Sequence, residues 1–116
     1  MKKITFVGTG YVGLVSGAGI SEFGHQVTCA DIDQNIIERL KAGEIPIYEP
    51  ELESLVKQNV AKGRLHFSHD VPESIQNADI IFVAVGTPQG SNGEANLSAI
   101  ESVAKTISQN LNGYKI

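Results

Sequence analysis

The sequence predicts an α/β domain built on a doubly wound, mostly parallel sheet, and three observations carry that expectation. Residues 4–7, Ile-Thr-Phe-Val, form a short apolar run that breaks at once into Gly8-Thr9-Gly10-Tyr11-Val12-Gly13. Asp31 stands eighteen residues past Gly13, at the end of a second strand-like segment, 26–30. Beyond it, apolar stripes at helical spacing alternate with further short β-branched runs, the rhythm of parallel strands joined by helices.

The first element, 4–7, has the β-branched and aromatic content of a buried parallel strand. Gly8 supplies the tight turn that ends it. Gly10 lacks a Cβ, so a pyrophosphate can approach the backbone and meet the free N–H groups opening the next helix. Gly13 lets that helix pack closely on the strand. This is the dinucleotide-binding pattern of a Rossmann-like sheet. The helix continues through residues 14–23 with Gly17 and Gly19 in its interior, so with Gly13 it gives up about 3 kcal/mol relative to alanine. Close helix-to-sheet contact and phosphate binding are expected to offset that loss, and Gly24-His25 stops the helix. The second strand, 26–30, delivers Asp31 to its carboxyl end. A carboxylate there can accept from both hydroxyls of an adenosine ribose and repels a 2′-phosphate. No Arg or Lys occurs within 32–38, so NAD is favoured over NADP.

Residues 33–42 place Ile36, Ile37 and Leu40 on one helical face and end at Gly43. The stretch Glu44-Ile45-Pro46-Ile47-Tyr48-Glu49-Pro50 holds two prolines and reads as a linker, with Pro50 near the first turn of the next helix. Leu52, Leu55, Val56 and Val60 make that helix's stripe, Gly63 ends it, and 64–68 supply a third strand. Asp70-Val71-Pro72-Glu73 resembles a capping box, with Asp70 as N-cap and Glu73 reaching back, before a helix over 72–77. The unbroken apolar run 80–85 is expected to be a central parallel strand covered on both faces. It ends at Gly86-Thr87-Pro88, on the same sheet edge as the Gly8 turn and Asp31, where Thr87 can bond a cofactor. After a polar loop, 89–95, Asn96 is the expected N-cap of a helix over 97–111 whose shared face is Leu97, Ile100, Val103, Ala104, Ile107 and Leu111. Tyr114-Lys115-Ile116 reads as the first residues of a fifth strand, so the sheet is expected to be truncated there and the chain to be a fragment.

At 116 residues the chain suits one domain, 1–116. Its net charge of −4 and the lack of a basic run argue against nucleic acid or an anionic membrane surface as partner. The lone cysteine, Cys29, forms no intrachain disulfide, suits a reducing cytoplasm and reads as a core residue of the second strand. Lys2 and Lys3 precede an apolar run too short for a secretion signal, and no segment approaches the roughly 20 apolar residues of a membrane span. His25, His66 and His69 lack metal-site spacing, and no nucleophile-elbow set supports hydrolysis.

Together, the run from Ile4 through Gly13 to Val15, the loop Pro46-Ile47-Tyr48-Glu49-Pro50 and the strand end Val83-Ala84-Val85-Gly86-Thr87-Pro88 resemble the amino-terminal domain of the UDP-glucose 6-dehydrogenase family, of bacterial type. The likeness spans essentially the whole chain. It implies an NAD-dependent, four-electron oxidation of a sugar C6 alcohol to a carboxylate, with two NAD molecules and a covalent thiol intermediate. It implies that the pyrophosphate lies over residues 8–13, contacting Gly8, Thr9, Gly10, Tyr11, Val12 and Gly13. The adenosine ribose then meets Asp31, and Gly86, Thr87 and Pro88 border the cofactor. UDP-glucose is the implied substrate and a homodimer the implied assembly of the whole protein, with GDP-mannose or UDP-N-acetylmannosamine oxidation as the nearest enzymatic alternative. The family's catalytic cysteine and lysine lie in segments beyond Ile116, so no catalytic residue is expected in this chain and Cys29 inherits no such role. Ile36 stands where the family often carries a basic residue after the ribose acid. A non-catalytic NAD- or NADH-sensing module is the reading from another class; the proline loop and the Gly86-Thr87-Pro88 end favour the dehydrogenase.

Overall fold

Side-chain alternation along the first strand sorts the domain into two faces. The computed structural model describes residues 1–87, 90, 93–94 and 96–116. In chain order its elements are β1 (Lys3–Val7), α1 (Tyr11–Glu22), β2 (Gln26–Ala30), α2 (Gln34–Lys41), α3 (Leu52–Ala61), β3 (Leu65–Ser68), α4 (Val71–Gln76), β4 (Ile80–Val83) and α5 (Ser98–Gln109). The strands form one sheet in the order β3-β2-β1-β4, with every pairing parallel. Chain direction across the sheet reverses between β1 and β4, because the chain builds outward from β1 to β3 and then crosses back to β4. Such a switch point opens a crevice at the carboxyl ends of the strands.

Ile4 and Phe6 of β1, Val27 and Cys29 of β2, and Leu65 and Phe67 of β3 face α1, α2 and α3, which contribute Leu14, Ala18, Ile37, Leu40, Leu52 and Val56 to one core. On the other face Val7 and Ala30 meet Val71 and Ile75 of α4, with Val103 and Ile107 of α5 packed at the margin. The Thr5 hydroxyl on that face donates to the Ser74 carbonyl at 2.9 Å, so its burial leaves no unmet group. Phe6 and Phe82 stack with ring centroids 4.7 Å apart, tying β4 to the larger core.

Several expectations need correction. Val60 is 45% exposed, and the neighbouring Asn59 is fully buried in its place. Asn59 Nδ2 donates to Glu22 and to the Leu55 carbonyl, while its Oδ1 accepts two bonds from the Arg64 guanidinium. Every polar site on that side chain is filled, which removes the usual cost of burying an amide. Asp70 does cap α4 through the Glu73 N–H, yet the Asp70 N–H is satisfied by the Ser68 hydroxyl at 3.0 Å and not by the Glu73 side chain. The fourth strand stops at Val83 and is the edge of the sheet, leaving Phe82 and Val83 each 43% exposed. Ile116 begins to pair with that edge: its N–H donates to the Asp79 carbonyl and its carbonyl accepts from Ile81. In α5 no residue is fully buried, and the N-cap is Leu97; Asn96 instead accepts from the Ser98 N–H at 2.9 Å.

The interior glycines of α1 differ in what they permit. A Cβ at Gly17 would lie 2.6 Å from the Cys29 Sγ, whereas one at Gly19 meets nothing within 4 Å. Gly17→Ala is therefore expected to lower stability by about 1–3 kcal/mol through overpacking. Gly19→Ala should raise it by up to about 1 kcal/mol through helix propensity. Denaturant midpoints of the two variants check this; a stabilised Gly17→Ala protein would contradict the packing described.

Candidate functional site

The turn after β1 is dictated by its surroundings. Gly8 has φ +112°, a conformation L side chains rarely adopt, and a Cβ there would stand 2.6 Å from the Ala84 carbonyl oxygen beyond β4. Its N–H donates to the Ala30 carbonyl at 2.7 Å, so the turn bridges the ends of β1, β2 and β4. A Cβ on Gly13 would overlap the Gly8 carbonyl oxygen, so the third glycine is required by the approach of α1 to the turn. Gly10 is different. It is the N-cap of α1, its φ of −74° suits any residue, and a Cβ added to it meets nothing within 4 Å.

Neither backbone nor packing calls for a glycine at position 10, and the space it leaves lies at the N-terminus of a 12-residue helix. That helix has no side-chain cap and no acidic residue in its first turn. First-turn N–H groups and the helix dipole at such an end favour an anion. The residues present thus fit the pyrophosphate of a dinucleotide: the opening is one a Cβ would narrow, and no carboxylate of α1 competes for it.

Asp31 follows β2 on the same edge. Its Oδ2 accepts from the Thr9 N–H at 3.1 Å and the Thr9 hydroxyl at 2.8 Å, and its Oδ1 accepts from the Asp33 N–H at 2.9 Å. The structure thereby joins Thr9, within the glycine turn, to Asp31. Ile36 of α2 is partly buried and packs against the larger core. Gly86 and Thr87 come after β4 and are exposed, beyond the Ala84 that touches Gly8. Pro88 lies outside the described residues.

One contact at the site carried no signal in the sequence. The Tyr11 hydroxyl donates to Glu49 Oε2 at 3.1 Å, linking the start of α1 to the proline loop. The hydrogen bond, and then the charge, of Glu49 raise the Tyr11 phenol above its ordinary value. Ile45 and Ile47 of that loop pack on the core, while Tyr48 is almost wholly exposed. A hollow of about 600 Å³ lies beside the loop, lined by Pro46, Tyr48, Glu49, Ser54 and Lys57 among others. None of the expected site residues lines it, and the open edge at the switch point has the better anion chemistry.

Cys29 is fully buried, and desolvation pushes its thiol up to about 12 from an ordinary value of 9.0. It belongs to the core, beneath Gly17. His25 Nδ1 accepts the Lys2 N–H, and His66 Nε2 lies 3.0 Å from the Gly63 carbonyl, both local structural contacts. Among the described residues no group of three His, Cys, Asp or Glu side chains could hold a metal ion, and no helix is long and apolar enough to cross a membrane.

A glycine turn at a switch point, an open helix N-terminus and an acid at the end of β2 define a dinucleotide-binding domain of the dehydrogenase type. Residues 2–116 match the sequence model described as UDP-glucose/GDP-mannose dehydrogenase family, NAD binding domain. The chain belongs to that family, and NAD is the cofactor of the domain it matches. It is 54% identical over 116 residues to the UDP-glucose 6-dehydrogenase TuaD of Bacillus subtilis, a match covering all of this chain and 25% of that protein. A UDP-glucose dehydrogenase structure from the hyperthermophilic archaeon Pyrobaculum islandicum superposes with TM-score 0.90 at 37% identity, covering 95% of this chain and 26% of that one. A GDP-mannose dehydrogenase from Pseudomonas aeruginosa superposes with TM-score 0.87, also at 37% identity, covering 92% of this chain and 24% of that one. The chain spans about a quarter of the length of the curated relatives it matches.

The raised thiol value carries a pH expectation. Because the folded state favours the neutral thiol, that contribution to stability is complete below about pH 9 and is lost as pH rises toward 12. Unfolding midpoints should therefore fall across that window, more steeply than in Cys29→Ala. A disulfide reagent at pH 8 should label Cys29 only when the chain unfolds; rapid labelling of the native protein would contradict its burial.

Proposed function

We propose that residues 1–116 are the NAD-binding domain of a UDP-glucose 6-dehydrogenase, which oxidises UDP-glucose to UDP-glucuronate with two NAD, the central and UDP-binding domains lying in a longer chain. The observation that carries the reading is the opening at Gly10, a glycine that the protein's own packing does not require. NAD supplies the hydride acceptor when bound. The residues of this chain hold it: the Gly8, Gly10 and Gly13 turn and the first-turn N–H groups of Tyr11 and Val12 take the pyrophosphate. Asp31, oriented by Thr9, takes the adenosine ribose, and Gly86, Thr87 and Pro88 border the cofactor beyond β4. UDP-glucose is preferred to GDP-mannose or UDP-N-acetylmannosamine because of the 54% identity to a UDP-glucose 6-dehydrogenase. The oxidation itself is assigned to residues outside 1–116. A cytoplasmic location, which the single cysteine held as a buried thiol suits, and a homodimer serving polysaccharide synthesis, which the family resemblance implies, complete the reading.

Two variants test the cofactor site by calorimetry with NAD. Gly10→Ala should weaken NAD about tenfold or more while lowering stability by no more than about 1 kcal/mol, since its Cβ meets no protein atom and only the N-cap preference for Gly over Ala is lost. Asp31→Ala should also weaken NAD about tenfold, the loss of a hydrogen bond to a charged acceptor, and should bring NADP closer to it. Unaltered binding in both variants would sink the assignment. For the substrate, NADH production by the intact protein should be greatest with UDP-glucose in a panel with GDP-mannose and UDP-N-acetylmannosamine.

A further inference from the structure

The Asp31 carboxylate is not a free acceptor. Three donors of the chain already occupy it: the Thr9 N–H and hydroxyl on Oδ2 and the Asp33 N–H on Oδ1. An ionised carboxylate offers about four acceptor positions, so about one is left for a ligand. Gripping both hydroxyls of a ribose would need two. Thr9 is only 4% exposed, held between the glycine turn and Asp31, so its side chain acts on a ligand through the carboxylate and not by direct contact.

We propose that Thr9 is a positioning residue for cofactor selection: by clamping Asp31 Oδ2 through two hydrogen bonds, it fixes the carboxylate so that one remaining acceptor position faces the ribose and the charge cannot turn away from a 2′-phosphate. The inference rests on the reading of Asp31 as the ribose acceptor. A 2′-phosphate brings negative charge and no hydroxyl at that carbon, and no Arg or Lys of 32–38 stands ready to receive it. An unclamped carboxylate could rotate to relieve that repulsion, whereas a clamped one cannot. Releasing the clamp therefore costs NAD its oriented acceptor and spares NADP part of the repulsion, so Thr9 acts on the ratio of the two affinities. A role limited to folding would lower both alike.

The test is calorimetric titration of the intact protein with NAD and with NADP, alongside melting temperatures. The variants are Thr9→Val, which keeps the shape and removes the hydroxyl, Thr9→Ser, which keeps the hydroxyl, Asp31→Ala, and Thr9→Val combined with Asp31→Ala. Thr9→Val should narrow the NAD-to-NADP ratio by about three- to tenfold, less than the full worth of a hydrogen bond to a charged acceptor, because the Thr9 and Asp33 N–H groups still hold the carboxylate. Thr9→Ser should restore most of the ratio, and Thr9→Val should change it no further once Asp31 is gone. Equal losses for both cofactors in Thr9→Val, or a ratio change that persists without Asp31, would overturn the clamp while leaving the ribose assignment standing. An unchanged ratio in Asp31→Ala would overturn both.

Discussion

The contact on which the rest of the structure depends is the one between the start of α1 and the turn after β1. Because position 13 carries no Cβ, the helix seats against the Gly8 carbonyl, and because position 8 carries none, the turn seats against the Ala84 carbonyl beyond β4. A side chain at position 13 would push the helix off the turn, and one at position 8 would push the turn off the backbone that follows β4. The seating places Leu14 and Ala18 in the larger core and leaves the N-terminus of α1 at the switch point between β1 and β4. Site and core therefore share one constraint, and a substitution at Gly13 would damage both.

Much of this was legible in residue order. The strand bounds of β2, the capping of α4 by Asp70, and the stop at Gly24 all follow from local chemistry that acts over a few residues. What the sequence hid depends on partners far along the chain. Asn59 looks like a solvent-facing neighbour of Val60 until Glu22 and Arg64 arrive to satisfy it, 37 and five residues away respectively. The apolar run at β4 looks central because hydrophobicity reports which residues tend to be buried and not how many strands flank them, so its place at the sheet edge could not be read from it. The Thr9 clamp on Asp31 and the Tyr11 bond to Glu49 are likewise long-range, and short motifs place each residue without revealing the bond.

The glycine pattern, read as three equal tokens, separates into two kinds in three dimensions. Gly8 and Gly13 are demanded by neighbouring protein atoms, while Gly10 faces open space at a helix end without a side-chain cap or a first-turn acid. That difference is what makes the motif an argument for a ligand and not only for a tight turn. The acid on the second strand is likewise prepared in advance, held by the turn it would serve. Organisation of this kind lowers the cost of ordering side chains on binding. The one cysteine, sealed within the core as a neutral thiol, takes no part in that site.

Backbone amide chemical shifts of the chain, followed as NAD is added, test the central claim most directly. The largest changes are expected at the N–H groups of Gly10, Tyr11, Val12 and Gly13, with smaller ones at Thr9 and Asp31. Changes confined to the hollow beside Pro46, Tyr48 and Lys57, with the α1 amides unmoved, would contradict the account.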